Sequence, residues 1–138
     1  NAQAFAQALA AEGFDVLAES RGYTASHQVL TRHGEIDSGA GASAAALLEK
    51  AGIITNMNML PGDSKAMTPS GLRLGVQELT RVGMGPREME EVASLYARAL
   101  LKGEDVQAIK NDVHHLKSDF QHVQYCFDSE DMPAYEGM

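Results

Sequence analysis

The segment "SGLRLGVQEL", residues 70–79, has the alternating pattern of a β-strand with one buried face. Successive side chains of a strand point to opposite faces of the sheet. The apolar side chains that share one face are Leu72, Leu74 and Val76. Arg73 and Gly75 lie on the other face, so the pattern predicts a strand that covers a core while its arginine points away from it.

Two interpretations of Arg73 follow from this pattern. An arginine on the open face of a sheet is ordinarily a solvated surface residue. Gly75 favours a binding role, because a glycine two residues along the same face leaves room for a ligand or another backbone. The planar guanidinium fork binds a carboxylate through two hydrogen bonds, which a lysine cannot match.

The rest of the chain alternates between helical and extended patterns. Apolar periodicity and terminal glycines predict helices over residues 1–13, 41–52, 77–80, 86–102 and 106–120. Short β-prone runs at 14–19 and 27–32 predict two further strands, and 53–56 is a brief β-branched run. We therefore expect an α/β protein of two-layer α+β type, with a small antiparallel or mixed sheet of about three strands covered by helices.

The segment that follows residue 56, "MNMLPGDSKAMTPSG", is predicted to be a loop. Loops of this length without secondary structure are uncommon and often functional. The last helix has an apolar stripe that needs a partner surface. The stripe consists of Val106, Ile109, Val113, Leu116 and Phe120.

Composition and charge exclude several classes of protein. The 138 residues and their 44% apolar content suit one globular domain. A net charge of −8 opposes binding to nucleic acid and to anionic membrane surfaces. No apolar run approaches the roughly 20 residues of a membrane span. Cys126 is the single cysteine, so an internal disulfide is excluded and a cytoplasmic location is expected.

The remaining candidate residues are assigned no chemistry. His114 and His115 are adjacent, so on a helix they point about 100° apart and do not form a metal pair. We therefore expect no metal site. Cys126 lacks a histidine or CxxC context and is expected to be an inert thiol. His27, at the start of a predicted strand, is expected to have a packing role.

Three segments carry a family resemblance: "AGIITNMNMLPGD", "TPSGLRLGVQELTRVGM" and "REMEEVA", in that order. Together they resemble the C-terminal small domain of serine hydroxymethyltransferase-like enzymes, which use pyridoxal phosphate and have the aspartate aminotransferase fold (fold type I). The resemblance extends from residue 1 to about 101. We expect residues 1–124 to form this small domain and residues 125–138 to be an acidic, poorly ordered tail.

The resemblance implies roles for two residues. Arg73 matches the arginine that binds the α-carboxylate of the amino-acid substrate. Asn58 matches an asparagine of the folate or substrate loop. This family commonly has lysine where Met57 stands and a longer loop after it, which argues against tetrahydrofolate use.

The resemblance also implies the activity and the partners. The full enzyme would form or cleave the Cα–Cβ bond of serine, threonine or glycine, as a homodimer when full length. Its pyridoxal phosphate would be bound mainly by a large domain that this chain lacks, since no lysine here matches the cofactor-binding one. The chain begins without methionine and reads as a piece of a longer protein, inactive alone.

Two alternatives remain open. One is a folate-independent threonine aldolase or transaldolase, favoured by the altered loop. The other is a non-catalytic α/β domain that binds a partner through the apolar stripe of residues 106–120.

Overall fold

Residues 1–124 are described by a computed structural model, which contains five α-helices and four β-strands within that range. The helices are α1 (Ala2–Ala11), α2 (Ala40–Lys50), α3 (Gln77–Arg81), α4 (Pro86–Leu100) and α5 (Val106–Ser118). The strands are β1 (Asp15–Val16), β2 (Gln28–Arg32), β3 (Asn56–Asn58) and β4 (Gly71–Gly75). A single turn of 3-10 helix, Glu19–Arg21, lies between β1 and β2.

The strands form one antiparallel sheet in the order β1-β2-β4-β3. β4 is therefore central, with β2 on one side and the short edge strand β3 on the other. Arg73 is directly opposite Leu30 of β2 and directly opposite Asn56 of β3. This register fixes which side chains surround the arginine.

The sheet has one face covered by helices, as the alternation in β4 predicts. Leu72 and Leu74 are buried, together with Val29 and Thr31 opposite them in β2. These side chains join α1, α2, α4 and α5 in one core, in which Tyr96 of α4 is the largest fully buried side chain. The predicted two-layer α+β architecture is confirmed.

Local signals account for the starts of the two long helices. Pro86 occupies the first position of α4, and the Glu88 carboxylate accepts a hydrogen bond from the Gly85 backbone N–H at 2.7 Å. Asp105 caps α5 by accepting a hydrogen bond from Ala108 N–H at 2.9 Å. Such side-chain caps satisfy backbone donors that have no partner within the helix.

Several details of the sequence prediction need correction. The sheet has four strands rather than about three, because β3 forms within the segment assigned to the long loop. The β-branched run at 53–56 is not a strand except for Asn56: Ile53 packs against the core and Ile54 is exposed. The strand predicted at 14–19 is reduced to the two residues of β1.

The apolar stripe of the last helix is covered by the chain itself. Ile109, Val113 and Leu116 are buried in the common core, and Phe120 packs against it from beyond the end of α5. The partner surface that this stripe needs is therefore the core of the same chain, which argues against the alternative of a domain that binds another protein through the stripe.

Two further expectations concern a histidine and the tail. His27 is exposed, and only its backbone carbonyl is used, accepting a hydrogen bond from Val76 N–H at 3.1 Å; its expected packing role is wrong. The acidic tail of residues 125–138, with Cys126, lies outside the described residues. No helix within residues 1–124 has the length and apolar character that crossing a membrane requires.

Candidate functional site

On the face of the sheet opposite the helices, Arg73 lies between uncharged residues of the two neighbouring strands. Arg73 and Asn56 are exposed, and Leu30 is partly buried. Directly opposite residues in an antiparallel pair share a face, with Cβ atoms about 5 Å apart. Gln28 of β2 adds a second carboxamide to this face, opposite Gly75, which is two residues beyond Arg73 in β4. A cation is thus held on a rigid central strand with neutral neighbours on both sides.

The two arginines of this face differ in what they bind. Arg32 lies 3.6 Å from the Asp15 carboxylate and donates hydrogen bonds to Ser70 Oγ and to the Pro61 carbonyl. The Arg73 side chain makes no hydrogen bond or ion pair with any residue of the described part of the chain. An unpaired guanidinium beside neutral groups is free to bind an anion, and its geometry suits a carboxylate.

The space beside Gly75 is taken by a neighbouring side chain. A Cβ added at Gly75 would lie 2.4 Å from Gln77 Oε1. The absence of a side chain at Gly75 therefore makes room for the Gln77 carboxamide beside the strand. The sequence predicted that Gly75 leaves room for a ligand. Instead, it admits a polar side chain two residues further along the chain.

Two aspartates hold the loop between β3 and β4. The Asp63 carboxylate accepts hydrogen bonds from Asp37 N–H, Leu60 N–H, Ser70 N–H and Ser70 Oγ, at 2.8 to 2.9 Å. The hydrogen bonds from the backbone N–H groups of Asp37, Leu60 and Ser70 hold the pKa of Asp63 well below its usual range.

Asp37 lies in the loop between β2 and α2, and its carboxylate also binds the loop between β3 and β4. It accepts hydrogen bonds from Ser64 N–H, Ser64 Oγ and Lys65 N–H, at 2.6 to 2.9 Å. The Ser64 hydroxyl is the main cause of the lowered pKa of Asp37. We call this pair of aspartates and their donors the aspartate latch; it fixes the start of β4 and the chain that leaves β3.

Asn58, the second predicted site residue, lies on the same face but two residue pairs away from Arg73 along the sheet. It is opposite Gly71, and its Nδ2 donates a hydrogen bond to the Met59 carbonyl at 2.6 Å. Leu60 covers Gly71, since a Cβ added there would lie 2.4 Å from the leucine side chain. One donor of Asn58 is therefore already engaged within its own loop.

The described residues offer little for a metal or a covalently bound cofactor. Within residues 1–124, His, Cys, Asp and Glu form no group of three or more that could hold a metal ion. None of the five lysines lies on a strand. Lys102 pairs with Glu12 at 3.2 Å, and Lys65 belongs to the loop of the aspartate latch. The others lie on helices: Lys50, Lys110 and Lys117.

An apolar groove of about 320 Å³ opens on the helix side of β4. Its walls include Leu74, Tyr96 and Val113, which are core residues. The groove extends the core and lies across the strand from the Arg73 side chain. It does not form part of the candidate site.

Sequence reasoning missed Asn56, Gln77 and Asp63. Alternation in Asn56-Met57-Asn58 would have placed both asparagines on one face, had this segment been predicted as a strand. The turn sequence Pro-Gly-Asp signals that Asp63 bonds a nearby N–H. Its bonds to Asp37 and Ser70 depend on tertiary structure and leave no sequence signal.

Comparison with protein families and curated proteins gives a consistent match. The family model for serine hydroxymethyltransferase matches residues 1–96. Serine hydroxymethyltransferase from Thermococcus gammatolerans is 50% identical over 130 residues, which cover 93% of this chain and 30% of that protein. The enzyme of the same name from Thermoplasma acidophilum is 49% identical over 137 residues, covering 98% and 32%. The chain thus spans about a third of the length of these curated relatives.

Among solved structures, the chain is similar to L-threonine transaldolase from Pseudomonas fluorescens in its internal aldimine state. The TM-score is 0.77 with 29% sequence identity, over 87% of this chain and 26% of that one. The resemblance predicted from the three sequence segments is confirmed, and the matches to curated relatives continue beyond residue 101.

Proposed function

This chain belongs to the serine hydroxymethyltransferase family, and we propose that it is the C-terminal small domain of a pyridoxal-phosphate enzyme acting on serine, threonine or glycine. The proposed reaction forms or cleaves the Cα–Cβ bond of the amino acid. Within it, Arg73 binds the α-carboxylate of the substrate.

The observation that carries this proposal is the state of Arg73. Its guanidinium is exposed and unpaired among the described residues, while Arg32 on the same face is held by Asp15, Ser70 and Pro61. Arg73 lies inside the part of the chain that the family model matches. A two-point grip on a carboxylate orients the bonds of the adjacent Cα, and such orientation lowers the barrier to reaction.

Pyridoxal phosphate does not fit the described residues of this chain. The candidate face carries no lysine, and no lysine lies on any strand. We therefore place the cofactor, which would act as the electron sink, in a part of the enzyme outside this chain. Residues 1–124 contribute the carboxylate-binding face, and we propose that the chain is inactive alone.

The edge of the sheet next to the candidate face supports contact with another part of the enzyme. Of the six large apolar side chains that are exposed within residues 1–124, four lie between residues 54 and 67. These are Ile54, Met57, Met59 and Met67. Exposed apolar side chains concentrated in one segment are typical of an interface. We propose that the large cofactor-binding domain covers this edge and that the whole enzyme is a homodimer.

A second candidate is a folate-independent threonine aldolase or transaldolase. The similarity to L-threonine transaldolase favours it, as does Met57 in place of the lysine common in the family. Asn58 would then face substrate rather than folate. The two candidates are separated by assaying the natural gene product on serine and on threonine, with and without tetrahydrofolate. A strict folate requirement for serine turnover supports the hydroxymethyltransferase.

The direct test of the proposal is Arg73→Lys in the natural gene product that contains this chain. Lysine keeps the charge but loses the two-point grip, so kcat/KM should fall about thirtyfold, equivalent to about 2 kcal/mol. The melting temperature without substrate should barely change, because Arg73 is exposed and unpaired.

Arg87→Lys is the matched control, since Arg87 is exposed in the first turn of α4 and belongs to no strand of the sheet. It should leave kcat/KM unchanged. Near-normal kinetics for Arg73→Lys would refute the carboxylate role. A large loss of stability would instead identify Arg73 as a structural residue.

A further inference from the structure

Asn56 is the polar side chain placed directly opposite Arg73. The register of β3 and β4 pairs the two residues, and opposite side chains in an antiparallel sheet share a face. Both side chains are exposed. On the other side of Arg73, the opposite residue is Leu30, which offers no hydrogen-bonding group. Of the two residues directly opposite Arg73, only Asn56 therefore offers a donor to a ligand that the arginine binds.

The carboxamide of Asn56 is also uncommitted. It makes no hydrogen bond with any residue in the described range, whereas Asn58 donates from Nδ2 to the Met59 carbonyl. Asn58 is opposite Gly71 and thus two residue pairs further from the guanidinium. Of the two asparagines in the segment, Asn56 is the one whose donors are free beside the arginine.

The chemistry of a carboxylate suits this pair. Its two oxygens offer about four acceptor positions, and a guanidinium fork occupies two of them. A neutral amide can donate to a third without repelling the arginine, as a lysine would, or neutralising it, as an aspartate would. The neutral surroundings of Arg73 leave its charge available to the ligand.

We propose that Asn56 is a second carboxylate-binding residue, donating from Nδ2 to the substrate carboxylate that Arg73 holds. This inference rests on the proposed function, because it assumes that Arg73 binds an amino-acid carboxylate. It assigns Asn56 a part in selecting substrates that carry a free α-carboxylate. Arg73 provides the positive charge and two hydrogen bonds to the carboxylate. A third hydrogen bond, from Asn56, restricts rotation of the carboxylate relative to the guanidinium.

The test compares binding of glycine with binding of glycinamide, which lacks the carboxylate charge, to the natural gene product loaded with cofactor. Dissociation constants are measured by calorimetry. Asn56→Ala should weaken glycine binding about tenfold, as expected for one hydrogen bond to a charged group. Asn56→Asp should weaken it about a hundredfold, because the new carboxylate pairs with Arg73 and repels the ligand. Glycinamide binding should change little in Asn56→Ala.

Gln7→Ala is the matched control, because it removes an exposed carboxamide from α1, outside the candidate face. It should leave glycine binding within twofold of the unmodified protein. If Asn56→Ala does not fold, Asn56→Thr, which suits an edge strand, takes its place. An unchanged glycine affinity in the Asn56 variants, or an equal loss in Gln7→Ala, overturns the inference.

The same measurements on Arg73→Lys separate the two proposals. If Arg73→Lys weakens glycine binding and Asn56→Ala does not, the proposed function stands and only the role of Asn56 is refuted. If neither substitution has an effect, the carboxylate role of Arg73 falls, and the inference falls with it.

Discussion

His33, Thr31 and Tyr96 form a polar cluster inside an otherwise apolar region of the core. The Tyr96 hydroxyl lies 2.8 Å from His33 Nε2 and 3.2 Å from the Thr31 hydroxyl, and Thr31 lies 2.9 Å from the same nitrogen. The Phe14 ring packs against both Tyr96 and His33. Burial raises the pKa of Tyr96 and lowers that of His33. The cluster thus joins β2 to α4 through neutral groups.

The lowered pKa of His33 makes stability depend on pH. Below about pH 6.5, the unfolded chain binds a proton at His33 that the folded chain does not. Stability should therefore fall as the pH is lowered from about 7, until His33 is protonated in the folded state too. Urea unfolding at pH 7.5 and 5.5 should show a smaller loss for His33→Gln than for the unmodified chain.

His114→Gln is the control for that experiment, because His114 is exposed on α5. It should reproduce the pH dependence of the unmodified chain. Equal pH dependence in the unmodified and His33→Gln chains would show that burial of His33 does not control its protonation.

The loop between β3 and β4 is ordered by the aspartate latch rather than by secondary structure. Asp63 ties Leu60 and Ser70, at the two ends of the loop, to Asp37 in a separate loop. The latch sets where β4 begins, two residues before Arg73. Loss of its acceptors should therefore loosen the loop and the strand ends that carry Asn58 and Arg73.

Asp63→Asn replaces a carboxylate oxygen with an amide nitrogen that cannot accept hydrogen bonds. The melting temperature at pH 7 should fall, and circular dichroism provides the measurement. The folded-state pKa of Asp63 lies below its unfolded value, so its contribution to stability is present above about pH 4 and is lost on further acidification. The unmodified chain should therefore lose more stability between pH 5 and pH 2 than Asp63→Asn.

Asp119→Asn provides the comparison, since Asp119 is exposed at the end of α5 and its carboxylate accepts only a long hydrogen bond, from Ser118 Oγ at 3.5 Å, within residues 1–124. A similar drop in melting temperature for both variants would argue against the latch. So would an unchanged melting temperature for Asp63→Asn.

The elements predicted correctly are those with a local signal. α4 has Pro86 at its first position and an apolar face, and β4 alternates without interruption. β3 was missed because Asn56 and Asn58 have low strand propensity and no apolar alternation. Its strand conformation comes from pairing with β4, which is a tertiary effect.

In the candidate site too, one residue has a local sequence signal and another depends on tertiary structure. Arg73 could be found from the sequence, because alternation within one strand places it opposite the buried leucines. Asn56 could not, since its position beside Arg73 depends on the register between two strands. The neutral character of the surroundings also required the structure, which shows Arg32 paired with Asp15 and Arg73 unpaired.

At the level of the whole chain, the candidate face supplies the arginine that we propose to bind a carboxylate, but it carries no lysine to hold the cofactor covalently. The chain spans about a third of its curated relatives, and each of its lysines lies on a helix or in a loop. A carboxylate-binding surface without a cofactor site suits a domain that completes an active site formed with another part of the enzyme.

Because we place the cofactor in another part of the enzyme, we can predict how the 138-residue chain alone behaves with pyridoxal phosphate. After mixing and dialysis, it should retain no absorbance that borohydride can reduce, because exposed lysines release the aldehyde when its concentration falls. The natural gene product, treated in the same way, should retain one cofactor per chain. Mass spectrometry after reduction checks both results. Stoichiometric modification of a single lysine in the 138-residue chain would contradict the prediction and place the cofactor site within it.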